Sequence, residues 1–127
     1  MKYLLDTCAL ILFFEDSVKL GEAAADIIED TFARKYVSVV SLWEFAIKHG
    51  AGKLKFDGGL PQFHKLITQN GFTVLPITLP HLEQLIRLPN HHRDPFDRLL
   101  VATAQTGGMT IVTRDESIPL YAVRVLW

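Results

Sequence analysis

Hydrophobic and polar positions alternate between two rhythms along this chain. Lys2–Leu5, Tyr36–Val40, Phe72–Ile77, Met109–Thr113 and Val123–Leu126 are short runs rich in β-branched, aromatic and aliphatic residues, and predict five strands. Between them the apolar residues recur at helical spacing, over Ala9–Phe14, Gly21–Asp30, Ser41–His49, Leu60–Gln69, Leu79–Leu88 and Asp94–Thr106. Ala24, Ile27 and Ile28 share one side of the second helix, and Leu82, Leu85 and Ile86 are expected to face inward from the fifth. Gly50, Gly71 and Gly107-Gly108 act as stops, and Ala51–Gly59 is a Gly- and Lys-rich connection. Strands separated by helices of this length predict an α/β protein: a single three-layer α/β/α domain over residues 1–127, with a central, mostly parallel sheet of about five strands.

Composition narrows the class. The 127 residues are 49% hydrophobic and 21% charged, which excludes a disordered chain, and no repeat supports a coiled coil or collagen-like polymer. Thirteen basic against fourteen acidic residues give a net charge of −1, so any nucleic acid must be met by local patches. The lone Cys8 excludes an internal disulfide and a Cys-rich zinc site, and makes a reducing, cytoplasmic setting the default. Lys2, the following apolar stretch and Ala23-Ala24-Ala25 faintly imitate a secretory signal. Asp6 interrupts that stretch, and Thr7–Phe14 is far too short to span a bilayer, so no membrane association is expected.

Four acids occupy strand-to-helix positions: Asp6, Glu44, Asp97 and Asp115. Each has a structural reading of its own. Asp6 or Thr7 caps a helix; Ser41-Leu42-Trp43-Glu44 matches a capping box; Asp94-Pro95-Phe96-Asp97 opens a helix with Asp94 as N-cap; Asp115 turns the chain. In a parallel sheet, however, all four fall on the edge where ligands bind, beyond the carboxyl ends of the strands. Carboxylates ~4 Å apart repel by about 1 kcal/mol in water and about 4 kcal/mol near a protein surface, so such a group calls for a cation. Carboxylate oxygens suit Mg²⁺ or Mn²⁺ rather than zinc, and a carboxylate-held pair of such ions is a device for phosphodiester hydrolysis.

The segments Leu4-Leu5-Asp6-Thr7, Ser41-Leu42-Trp43-Glu44-Phe45-Ala46-Ile47-Lys48, His91-His92-Arg93-Asp94-Pro95-Phe96-Asp97-Arg98-Leu99-Leu100 and Val112-Thr113-Arg114-Asp115, with the ending Val123–Trp127, resemble the PIN-domain nucleases. Within that family they resemble the VapC-type toxins of toxin–antitoxin modules. The resemblance runs end to end. It implies a PIN fold, an Mg²⁺- or Mn²⁺-dependent ribonuclease, a homodimer and a cognate VapB-like antitoxin. It carries the acidic quartet onto Asp6, Glu44, Asp97 and Asp115, with Asp6 and Asp97 as the chief metal ligands; on that basis Glu44 and Asp115 are expected to complete a second or water-mediated site. Two positions depart from the family pattern: Cys8 stands where relatives commonly have His, and Thr103 where Gln is frequent.

Around these acids, Thr7, Thr113, Arg98, Arg114 and Lys48 are candidates to support a ligand or touch substrate. Lys48, Lys53 and Lys55 form the best local basic patch, and Arg93, Arg98 and Arg114 flank the acids. The adjacent His91 and His92 cannot form a zincin pair and read as loop residues. Cys8, with no basic partner evident, reads as a small buried side chain. Phe13, Phe14, Phe32 and Phe63 read as core or a dimer face, and Leu99–Ala102 as buried on two sides. A receiver domain and a haloacid-dehalogenase-type phosphatase share the class but lack their acid patterns here. The serious rival is a catalytically silent PIN-fold binding module.

Overall fold

The computed structural model describes Met1–Trp127. In chain order its elements are β1 (Lys2–Leu5), α1 (Thr7–Phe14), α2 (Glu22–Glu29), β2 (Arg34–Ser38), α3 (Val39–Gly50), α4 (Gly59–Gln69), β3 (Thr73–Leu75), α5 (Leu79–Arg87), α6 (Pro95–Gly107), β4 (Thr110–Val112), a 3₁₀ turn at Ile118–Leu120 and β5 (Val125–Leu126). The five strands form one all-parallel sheet in the order β3-β2-β1-β4-β5. Winding proceeds outward from β1 to one edge through β2 and β3, then returns to the other side of β1 through β4 and β5. The gap between the carboxyl ends of β1 and β4 is therefore the switch point, where an open parallel sheet leaves a crevice.

Side-chain alternation along the strands divides the core between two faces. Leu5 and Val112 point to one, where α1, α2, α3 and α4 contribute Ala9, Leu10, Ala24, Ile28, Phe45, Phe63 and Ile67. Leu4 and Ile111 point to the other, where α6 contributes Leu100, Val101, Ala102 and Ala104 beside Ile118 and Tyr121. Phe45 and Phe63 lie face to face with centroids 4.2 Å apart, and neither is exposed. Lys35 on β2 is buried, its Nζ donating to the Ile28 carbonyl at 2.7 Å. It thereby satisfies one of the carbonyls left open at the end of α2.

Several expectations are corrected. β2 ends at Ser38 rather than Val40, because the Ser38 hydroxyl accepts from the Val40 amide at 3.1 Å and starts α3 two residues before the anticipated point. Val39 and Val40 suggest strand by propensity, but the cap decides. Ser41 therefore lies inside the first turn, is not a cap, and forms no capping box with Glu44. Its buried hydroxyl has no hydrogen-bond partner. Likewise α1 begins at Thr7, capped by Asp6. On α5 only Leu85 packs toward the core, while Leu82 and Ile86 are exposed. Of the phenylalanines read as core or a dimer face, Phe63 is core and Phe13 and Phe14 pack against that cluster, whereas Phe32 is exposed and so is not core.

Gly21 marks a close approach. A Cβ built there would sit 2.3 Å from the carbonyl carbon of Trp127, so only glycine lets the loop before α2 lie against that residue.

Phe63→Ala is expected to cost about 3–5 kcal/mol, because it removes a fully buried ring and leaves a cavity facing Phe45. Urea denaturation of the variant beside the parent measures it; a loss below 1 kcal/mol would contradict the packing described.

Candidate active site

Asp6 follows β1 and plays two structural parts. Oδ1 accepts from the Ala9 amide at 2.8 Å and caps α1, while Oδ2 accepts from the Thr113 hydroxyl at 2.5 Å across the switch point. Burial pushes its pKa up to about 6, although the bonds from Thr113 and Ala9 pull it down and the charges of Glu44 and Asp115 add to the rise. Thr113 Oγ1 also accepts from the Asp115 amide at 3.0 Å. Asp115 in turn takes the Ser117 and Ile118 amides on Oδ1, at 2.8 and 3.1 Å. The turn role expected of Asp115 and its place at the site are thus the same geometry.

On α3, Glu44 is nearly buried and its Oε2 accepts from Lys48 Nζ at 2.9 Å. Beneath it, the Thr7 hydroxyl donates to the Ser41 carbonyl at 3.4 Å and ties α1 to α3. At the start of α6, Asp94 Oδ1 accepts from the Phe96 and Asp97 amides at 2.9 and 3.2 Å, which is the N-cap expected of it. Asp97 is half-buried. Burial first, then the charges of Asp94 and Asp115, push its pKa up to about 7, against a stabilising bond from His92.

The acids among these residues line one cavity of about 570 Å³, in which Asp6, Glu44, Asp94, Asp97, Asp115 and Glu116 stand against only Lys48 and Arg114, while Thr113 and His92 lie outside the lining. Cys8 also lines it and is half-exposed rather than buried. Burial and the Asp6 charge push its thiol pKa up, and Arg114 beside it, the basic partner not foreseen from sequence, pulls it down. The Arg114 guanidinium lies over the Trp127 ring at 5.9 Å. Arg98 does not line the cavity; it donates to the Pro89 carbonyl and the Tyr121 hydroxyl at 2.8 and 2.9 Å. Lys53 and Lys55 are exposed on the connection after α3 and also stand outside the lining.

His92 and Tyr121 are the residues sequence reasoning missed. His92 Nε2 is 3.3 Å from Asp97 Oδ2, and its Nδ1 is 2.8 Å from the Tyr121 hydroxyl. The available signal was position: His92 lies two residues before the Asp94 cap, close enough to fold back onto the first turn of α6.

As the side chains stand, no three His, Cys, Asp or Glu groups are placed to share one metal ion. The donor chemistry nevertheless fits a hard divalent cation. Asp97 Oδ1, Asp94 Oδ2, Asp115 Oδ2 and Glu44 Oε1 accept no hydrogen bond, and burial first, with the neighbouring carboxylates adding to it, raises the pKa values of Asp6 and Asp97.

Comparison with known proteins gives the family of this fold. The PIN-domain family model matches residues 3–124, and the chain belongs to the PIN-domain family. Its fold matches solved toxin–antitoxin structures along the whole chain. VapBC2 from Rickettsia felis, bound to a DNA fragment from its promoter, superposes with a TM-score of 0.75 at 14% identity, covering 99% of this chain and 98% of that one. FitAcB from Neisseria gonorrhoeae gives 0.67 at 21% identity, covering 98% and 96%. A toxin–antitoxin complex from Klebsiella pneumoniae gives 0.67 at 18%, covering 99% and 97%. No curated protein matches in sequence. No helix is long and apolar enough to cross a membrane.

Asp6 and Asp97 have folded-state pKa values above the ordinary 3.8, so between about pH 4 and 7 the folded chain binds more protons than the unfolded one. Their contribution to stability therefore falls as pH rises through that window. In EDTA, Asp97→Asn is expected to be more stable than the parent at pH 8, by about 1 kcal/mol after solvent screening, and to lose that advantage at pH 5. Thermal melts at both pH values measure the difference, and equal stability at pH 8 would overturn the assignment of Asp97 as a buried, crowded carboxylate.

Proposed function

We propose that the chain is an Mg²⁺- or Mn²⁺-dependent ribonuclease, the toxin of a cytoplasmic toxin–antitoxin module with a VapB-like antitoxin. The observation that carries this reading is the concentration of six carboxylates against two cations in the switch-point cavity of a PIN domain, a family of usually metal-dependent nucleases. The toxin–antitoxin complexes among its structural neighbours support the partner.

Asp6 and Asp97 would hold the ion, with Glu44 and Asp115 completing a second or water-mediated site. A divalent ion there supplies a more acidic bound water and charge compensation at a scissile phosphate. The chain's own residues do the rest. Thr113 and the Ala9 amide fix the Asp6 carboxylate, and Asp115 is held by its turn, leaving Oδ2 free to orient a water. Lys48 and Arg114, on the cavity wall, would meet phosphate oxygens of the RNA; such contacts position a strand without reading its sequence.

A homodimer is supported by an exposed apolar stripe on α3. Val39, Trp43 and Ile47 recur every four residues, and Trp43 packs edge-on against Phe96 at 5.1 Å. A second copy of the chain covering this stripe would remove it from water. The rival reading, a silent binding module, draws its support from the absence of three acids already placed to share an ion.

Mn²⁺ discriminates between the two. At 100 times its dissociation constant it is expected to raise stability by about 2.7 kcal/mol, seen as a higher melting temperature. Purified Asp97→Asn protein should lose RNA cleavage by more than the about 10- to 100-fold that losing a metal ligand's hydrogen-bond partner typically costs. No melting shift at millimolar Mn²⁺, or undiminished cleavage by the variant, favours the silent module. Ile47→Glu should convert the dimer to a monomer by light scattering, and an unchanged mass rejects the α3 interface.

A further inference from the structure

A chain of hydrogen bonds leads from the cavity into the protein: Asp97, His92, Tyr121, Arg98. Its direction follows from donor chemistry. Arg98 Nη1 has only hydrogens to give, so the Tyr121 oxygen accepts from it at 2.9 Å. Tyr121 is buried, and its single hydroxyl hydrogen is left for His92 Nδ1 at 2.8 Å. With Nδ1 accepting, a neutral His92 carries its own proton on Nε2, directed at Asp97 Oδ2, 3.3 Å away. Arg98 is the residue after Asp97 on α6, so the chain of bonds closes on the helix it started from. Arg98 also donates to the Pro89 carbonyl, which ties the loop carrying His92 to the same helix.

We propose that His92 is a positioning residue. Held by Tyr121 and through it by Arg98, it occupies one oxygen of Asp97 and presents the other, Oδ1, to a divalent cation. This rests on the metal-dependent reading of the site. Of the four candidate ligands, Asp6 and Asp115 are fixed by backbone amides and Glu44 by Lys48, whereas His92 is the one partner of the Asp97 carboxylate. Without His92, nothing in the structure bonds the Asp97 carboxylate, and ion binding would have to order it first. Partners of this kind typically change metal affinity by about 10- to 100-fold.

Two measurements test it, neither of them activity. In the metal-free parent at pH 8, imidazole ¹⁵N shifts should assign His92 to the Nε2–H tautomer, and Tyr121→Phe should produce a mixture. Mn²⁺ titration followed by electron spin resonance should give a dissociation constant about 10- to 100-fold higher for His92→Ala, with a smaller rise for Tyr121→Phe. The second variant keeps the buried ring and carries the test if the first does not fold. An Nδ1–H tautomer in the parent, or variants that bind Mn²⁺ as the parent does, overturns the proposal alone. A parent that binds no Mn²⁺ removes the metal reading and the proposal together.

Discussion

One hydrogen bond joins the architecture to the chemistry: the Thr113 hydroxyl donating to the buried Asp6 carboxylate, from the end of β4 to the end of β1. Asp6 is an expensive residue to bury, since a carboxylate without partners loses its hydration for nothing. Here its two oxygens are used twice, once to start α1 and once to bind the neighbouring strand. The same Thr113 oxygen then receives the Asp115 amide, and Asp115 receives two amides of its own turn. A continuous backbone-and-hydroxyl lattice thus fixes two acids on one side of the cavity. Were that lattice missing, repulsion among the carboxylates would be free to splay the strand ends.

The opposing wall is built differently. Glu44 and Lys48 form an i,i+4 pair on α3, and Asp94 caps the helix that carries Asp97. Caps and pairs such as these are worth about 0.3–2 kcal/mol each. Against them stand the burial and the like charge that together raise Asp97, a cost that the fold's core must outweigh. The core is equipped for it, with Phe45, Phe63, Leu10 and Ile67 closing one face and Leu100, Val101 and Ile111 the other.

Much of this was legible in the residue order. Strand and helix alternation gave the parallel sheet, and the acids after β1 and β4 were identifiable because a charge directly following an apolar strand has few places to go. What escaped was set by single side chains acting at a distance. Ser38 moved the start of α3, since a cap overrides the β-branched signal of Val39 and Val40. Had Ser41 been the cap, Glu44 would have been drawn back to its amide; instead it turns to Lys48 and the cavity. Ile86 reads as core by periodicity, yet of the three residues expected inward on α5 only Leu85 packs against the core, and Ile86 lies in solvent. His92 is close to Asp97 in sequence, but the residue that orients it, Tyr121, lies 29 residues further on and is not legible there.

The loop before α2 never touches the cavity, yet it bears on it through stacking. Gly21 leaves room for Trp127, and the indole of Trp127 supports the Arg114 guanidinium, one of the two cations in the cavity wall. The smallest side chain in the protein is therefore a spacer for part of the rim's positive charge. Drift at that position would reach the site as a displaced arginine, by a route that no inventory of cavity residues contains.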